Sequence, residues 1–314
     1  MELLSHLGIS AAPNPTIESV LYKSRGYVSL WLVSTACGWY HMVSLGSSLA
    51  SVFFPDLAEY TKRMAGMLVW KLCIFLSELN RVSIDVEGDS VDPFSAVLIA
   101  NHQSLADYIV LAALAQKSGN QGEIQWEALP QINFFTWFTL ARAPTAKVLL
   151  NMARSDENWE LAQSQSDRLF HRVRDSSTPE WVVVFPEVNI WTPETSYLQA
   201  AQAHRYFLPE MHQVLYPRFS SFSNAVWSLR AEKSATRAQK FSTLYDVSIV
   251  HSKPVTLLEF FSCKEPHKVT VHIKKKSLER VPLRRAKMER WLEKCWVEKD
   301  KTVDSITRRS PKED

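Results

Sequence analysis

The chain has 314 residues, 46% hydrophobic and 22% charged, which suits a protein with a substantial core and excludes a disordered one. Four cysteines without CxxC spacing give no disulfide framework or metal pattern, and eight glycines with no GxGxxG or Walker loop argue against the common nucleotide-binding enzymes. The net charge of +3 is uneven: residues 264–314 carry 16 Lys/Arg against 9 Asp/Glu, and the other residues 20 against 24. Such a basic segment fits either an anionic partner, such as membrane or CoA phosphates, or a solvated amphipathic helix.

In chain order, residues 1–25 read as a polar N-terminal segment. No residue between Arg25 and Asp56 carries a formal charge. This stretch is long enough to predict a membrane-spanning helix, although Trp39, Tyr40 and His41 fall near its middle, with Ser44, Ser47 and Ser48 close by. A buried core helix is the alternative. The apolar run 64–79 is interrupted by Lys71 and Glu78, so it is expected to lie in the membrane interface or beside the first helix. Residues 26–80 are therefore expected to form membrane-anchoring helices.

From residue 81 to 300, strand-like and helix-like stretches alternate. Strands are expected at 82–86, 96–100, 124–128, 146–151, 181–185, 213–216, 247–250 and 269–273. Helices are expected at 104–115, 159–174, 196–207, 223–230 and 283–297. This pattern predicts an α/β domain with a mixed, mainly parallel sheet flanked by helices. Residues 301–314 read as a charged, disordered tail.

One junction carries chemistry. The buried-strand run 96–100 empties into Asn101-His102-Gln103-Ser104-Leu105-Ala106-Asp107. His102 then sits at the carboxyl end of a strand, where open α/β sheets place their ligands. An imidazole is the natural proton acceptor near neutral pH, and Asp107, one turn into the following helix, can fix its tautomer. Asp107 can equally be a helix cap. A second strand, 181–185, runs into Pro186-Glu187, which repeats the pattern, although a solvated turn glutamate is the plain alternative. Arg154 and Arg218 each follow a strand-like run; each can hold a phosphate or stand in a surface ion pair.

Taken in order and spacing, these blocks resemble the glycerolipid acyltransferase family. The matching residues are Asn101-His102 with Asp107, Arg154, Phe185-Pro186-Glu187, and Val214-Leu215-Tyr216-Pro217-Arg218. The C-terminal half is similar to the lysocardiolipin and lysophosphatidylglycerol branch. The resemblance covers about residues 80–300. It implies transfer of a fatty acyl group from acyl-CoA, a co-substrate, to the hydroxyl of a lysophospholipid, with no further cofactor or metal. It implies His102 as base and Asp107 as its orienting partner, with Arg154, Glu187, Asn189 and Arg218 binding substrate. It also implies membrane lipids as partners, no nucleic acid, and residence in the endoplasmic reticulum or another internal membrane. One departure stands out. Where the family continues Glu-Gly-Thr, this chain has Glu187-Val188-Asn189, and valine adopts positive φ only at a cost. A catalytically impaired lipid-binding or scaffold protein on the same fold is therefore the rival expectation.

Overall fold

Strand β2 (Ala96–Ala100) is buried at every position. A strand buried on both faces needs cover above and below, and its side chains divide accordingly. Ala96, Leu98 and Ala100 join one hydrophobic cluster and Val97 and Ile99 the other. The computed structural model of the chain describes residues 17–118, 129–136, 139–143, 161–230 and 240–309. The sheet comprises β1 (Val82–Gly88), β2, β3 (Gln131–Thr136), β4 (Thr139–Ala141), β5 (Glu180–Val184), β6 (Thr243–His251) and β7 (His267–Ser277). Their order is β1-β7-β6-β2-β5-β3-β4. β2 runs parallel to both β5 and β6, whereas β3 with β4 and β6 with β7 are antiparallel. The mixed, mainly parallel sheet expected from the sequence is present.

One face is covered by α1 (Ile17–Ala50), α2 (Pro55–Leu79), α3 (Asp107–Lys117) and the short α7 (Leu257–Phe260). The other carries α4 (Gln163–Asp175), α6 (Phe219–Arg230) and α8 (Arg285–Arg309). Helix α5 (Pro193–Tyr206) follows β5 and starts with a capping box between Thr192 and Thr195. Gly26 lets α1 lie close on α7: a Cβ there would stand 2.8 Å from both Leu258 and Ser262.

Several expectations need correction. Helix α1 begins at Ile17, inside the segment read as polar, and is 34 residues long. Yet among the described residues no helix is long and apolar enough to cross a membrane. Thr35, Trp39, Tyr40, His41 and the serines at 44, 47 and 48 dilute α1, and five charged residues from Glu59 to Glu78 interrupt α2. Residues 213–216 form no strand. Their neighbourhood is held instead by Asp300 of α8, whose Oδ1 accepts from the backbone N–H groups of His212, Gln213 and Val214 at 2.9, 2.7 and 3.2 Å. Helix α8 does not stop near 297. It runs to Arg309, burying Val303 and Ile306, through much of what reads as a tail. Strand β3 escapes sequence reading because Gln131 and Asn133 interrupt its apolar pattern. Both are buried, and Asn133 Nδ2 donates to Glu180 Oε2 at 2.6 Å. The strands expected at 124–128 and 146–151 lie outside the described residues.

Candidate active site

The carboxyl ends of β2, β5 and β6 lie side by side, and each delivers a polar residue to the same edge of the sheet. Asn101 fixes where β2 ends. Its side-chain amide donates to the Ile249 carbonyl at 2.9 Å and accepts from the Ile249 N–H at 2.7 Å, prolonging the β2–β6 ladder through a side chain. His102 then leaves the sheet, 2% exposed. Its ring stacks on Phe185 with centroids 4.4 Å apart and meets Tyr108 edge-on.

His102 Nδ1 lies 2.9 Å from Asp107 Oδ2. The same carboxylate oxygen accepts from the backbone N–H groups of Gln103 at 2.7 Å and Ser104 at 2.9 Å. Asp107 is thus both the cap of the turn and the partner of the imidazole, so the two sequence readings hold together. Burial alone would raise its proton affinity, but the hydrogen bonds from His102 and His251 more than offset this and hold it well below the usual carboxylate range. An ionised Asp107 keeps the proton of His102 on Nδ1 and leaves Nε2 as the nitrogen able to accept one.

Glu187 follows β5 at the same edge. It is buried, with Oε2 3.4 Å from the N–H of His102 and Oε1 accepting from Trp296 Nε1 at 3.2 Å. Burial pushes its carboxyl up to about 8, against the opposing pull of the Leu215 and His102 N–H groups, Lys299 and Trp296. The folded protein therefore holds this proton to higher pH than the unfolded chain, whose glutamates titrate near 4.5. The stability it contributes is full below that pH and declines as pH rises towards about 8. Glu187→Gln should remove the decline, which is at most about 1.4 kcal/mol per pH unit. Denaturant titrations at pH 5 and pH 8 check this: the stability of the variant relative to wild type should rise from pH 5 to pH 8, and an equal difference at both would refute the assignment.

Val188 has φ 64, in the left-handed region that suits glycine. The Val188 N–H donates to the Phe185 carbonyl at 3.2 Å and that of Asn189 to Glu187 at 2.7 Å. Valine there carries strain that glycine would not. Val188→Gly is expected to stabilise the fold by about 1 kcal/mol, read from denaturant midpoints; a loss of stability would show that no strain is stored.

Asn189 is half-buried in this loop, and the Arg218 N–H donates to the Pro186 carbonyl at 2.7 Å, which brings the fourth block against the third. The Trp191 N–H likewise reaches the His102 carbonyl at 2.8 Å. Arg154 lies outside the described residues. Among the described residues, no group of three or more His, Cys, Asp or Glu side chains is arranged to hold a metal ion.

Two residues beyond those expected from the sequence join the site. His251 ends β6 and places Nε2 2.7 Å from Asp107 Oδ1. The signal was present: a strand-like run followed by a polar residue, as at His102 and Glu187. Lys299 is buried under the sheet from α8, 2.6 Å from Asp246 Oδ1 and in contact with the carbonyls of Ile99 and Val247. A lysine on a mostly polar helix gives no sign of this.

A histidine at a strand end, held by a carboxylate with loops converging on it, is an arrangement able to take a proton from a hydroxyl or from water. Comparison with known proteins narrows it. Residues 259–308 match the family model described as Acyltransferase C-terminus. The chain is 25% identical over 306 residues to a probable 1-acyl-sn-glycerol-3-phosphate acyltransferase 5 of Arabidopsis thaliana, covering 94% of this chain and 77% of that one. It is 28% identical over 220 residues to the 1-acyl-sn-glycerol-3-phosphate acyltransferase 2 of Brassica napus, covering 67% of this chain and 51% of that one. It is 24% identical over 286 residues to lysocardiolipin acyltransferase 1 of Gallus gallus, covering 85% and 72%. The crystal structure of the 1-acyl-sn-glycerophosphate acyltransferase PlsC from Thermotoga maritima shares the fold, with a TM-score of 0.50 and 14% identity over 94% of this chain and 99% of that one. The chain is thus similar in sequence to glycerolipid acyltransferases and shares the fold of one of them.

Proposed function

We propose that this protein transfers a fatty acyl group from acyl-CoA to the free hydroxyl of a lysophospholipid. The observation that carries the reading is the 2.9 Å contact between His102 Nδ1 and Asp107 Oδ2 at the carboxyl end of β2. His102 Nε2 takes the proton of the acceptor hydroxyl as its oxygen attacks the thioester carbonyl. The tetrahedral intermediate collapses, the carbon–sulfur bond breaks, and the imidazolium returns its proton to the departing thiolate. Asp107 stabilises the imidazolium in between. A thioester is already activated, so a base and correct positioning supply most of what the reaction needs. Arg154, Asn189 and Arg218 are the proposed contacts for the glycerol and phosphate of the acceptor. Glu187, expected from the sequence to bind substrate, is instead buried against the His102 N–H and Trp296, and its proposed role is to support the loop that carries the base.

The acceptor and the acyl product both partition into bilayers. The α1–α2 hairpin leaves Trp31, Met42, Leu45, Leu49, Phe53 and Phe54 exposed, which supports a membrane-surface seat rather than a crossing. An internal membrane such as the endoplasmic reticulum is the proposed location.

The acceptor is found by incubating the protein with labelled oleoyl-CoA and a panel of lysophospholipids differing in head group, in phosphatidylcholine vesicles. Label is expected in one or a few phospholipids, and the protein should float with the vesicles. Binding of lysophospholipid without any transfer of label would instead favour the scaffold reading, whose one specific support is the strained Val188.

A further inference from the structure

Asp107 serves two histidines. His102 takes Oδ2, and His251, at the carboxyl end of β6, lies 2.7 Å from Oδ1 through its Nε2. The line continues away from the proposed reacting centre. His251 Nδ1 is 3.0 Å from His267 Nε2, and His267 Nδ1 is 3.4 Å from Ser252 Oγ. The oxygen of Ser252 accepts from the Lys268 N–H at 3.3 Å, so its own hydrogen is available to His267. We infer that His251 is a positioning residue for the His102–Asp107 pair, and that His267 and Ser252 hold it in the tautomer that donates Nε2–H to Asp107. The inference rests on the base role of His102 proposed above.

The direction of each bond follows from what each group can hold. Asp107 is ionised and can only accept, so both histidines must donate to it. His267 is kept neutral by burial, which pushes it well below the usual imidazole range. It therefore carries one ring hydrogen. With Nδ1 accepting from Ser252, that hydrogen sits on Nε2 and is donated to His251 Nδ1. His251 then has one hydrogen, on Nε2, aimed at Asp107. Counting Gln103 and Ser104, the carboxylate receives four donors, two from side chains and two from backbone. A carboxylate filled in this way cannot rotate without losing a bond, so the imidazole of His102 is held in one orientation.

The charge consequence has a definite sign. A donor on Oδ1 draws negative charge away from the oxygen facing His102. Removing it leaves a carboxylate that stabilises the imidazolium more strongly, so the base is freed only at higher pH. The other titratable groups around this line are few. His102 is faced by Tyr108 from α3 and Glu187 after β5, with Lys299 of α8 and Asp246 of β6 behind the strand end. His251 is faced by His267 from β7, with the ring of Phe260 edge-on at 6.4 Å.

The test compares wild type with His251→Phe, which keeps the bulk and loses the donor, and His251→Gln, which keeps a donor. Transfer from oleoyl-CoA to the acceptor identified by the panel is followed against pH. His251→Phe is expected to lose kcat roughly 10-fold or more, with KM for oleoyl-CoA unchanged and the acid limb of the profile moved to higher pH. His251→Gln should recover most of both. A folded His251→Phe with wild-type kcat and an unmoved limb would overturn the inference. Failure of the wider reading is told apart by nitrogen-15 spectra of histidine-labelled wild type, which need no turnover. They should show His251 protonated at Nε2 and bare at Nδ1, and the reverse tautomer would overturn the inference even in an active enzyme.

Discussion

His102→Ala is expected to lower kcat by at least about 100-fold while leaving the chain folded and KM for oleoyl-CoA near the wild-type value. The size follows from the role: without Nε2 nothing at the strand end takes the hydroxyl proton. The ring also stacks on Phe185, so some stability is lost, and a denaturant titration alongside the kinetics separates the two effects. Turnover near the wild-type rate would remove His102 from the mechanism. Asp107→Asn should follow in the same direction, because an amide leaves the imidazole without a fixed tautomer.

The largest effect on stability is expected at Asp246. This carboxylate is buried in β6, 2.6 Å from Lys299 and 2.8 Å from Lys276. Burial alone would raise its proton affinity, but the two lysines more than offset this and hold it below the usual range. Replacing it with alanine strands the Lys299 ammonium between the Ile99 and Val247 carbonyls, under the end of β2. Leaving one member of a buried pair unpartnered costs about 3–5 kcal/mol. Urea denaturation of Asp246→Ala should show a loss of that order, and Asp246→Leu with Lys299→Met should recover most of it. A cost below about 1 kcal/mol would mean that the lysine finds water, and that α8 is not pinned through this pair.

Much of this was legible in residue types and spacing. The apolar run 96–100 followed by Asn101-His102 and then Asp107 predicts the junction correctly, because both the strand and the capping turn are local. Phe185-Pro186-Glu187 is found for the same reason. What escaped depends on partners distant in sequence. Gln131 and Asn133 look unlike a buried strand until Glu180 and Arg142 are beside them, with Arg142 Nη2 3.3 Å from Glu180 Oε1. Asp300 reads as an exposed helix residue, yet it caps the stretch before Arg218. The N-terminal apolar stretch folds as helices, and the polar side chains visible in it, among them His41 and the serines at 44, 47 and 48, outweigh its length and keep it short of a crossing helix. At Val188 the residue type was visible in the sequence, whereas its left-handed backbone was not.

The most direct test of the central claim is CoA thiol release from oleoyl-CoA by purified protein in vesicles, with and without the acceptor, for wild type and His102→Ala. Acyl transfer through this site predicts thiol release only when lysophospholipid is present, matched one-for-one by new phospholipid, and abolished in His102→Ala. Thiol release without acceptor, matched by free fatty acid, or release that survives the loss of His102, would contradict it.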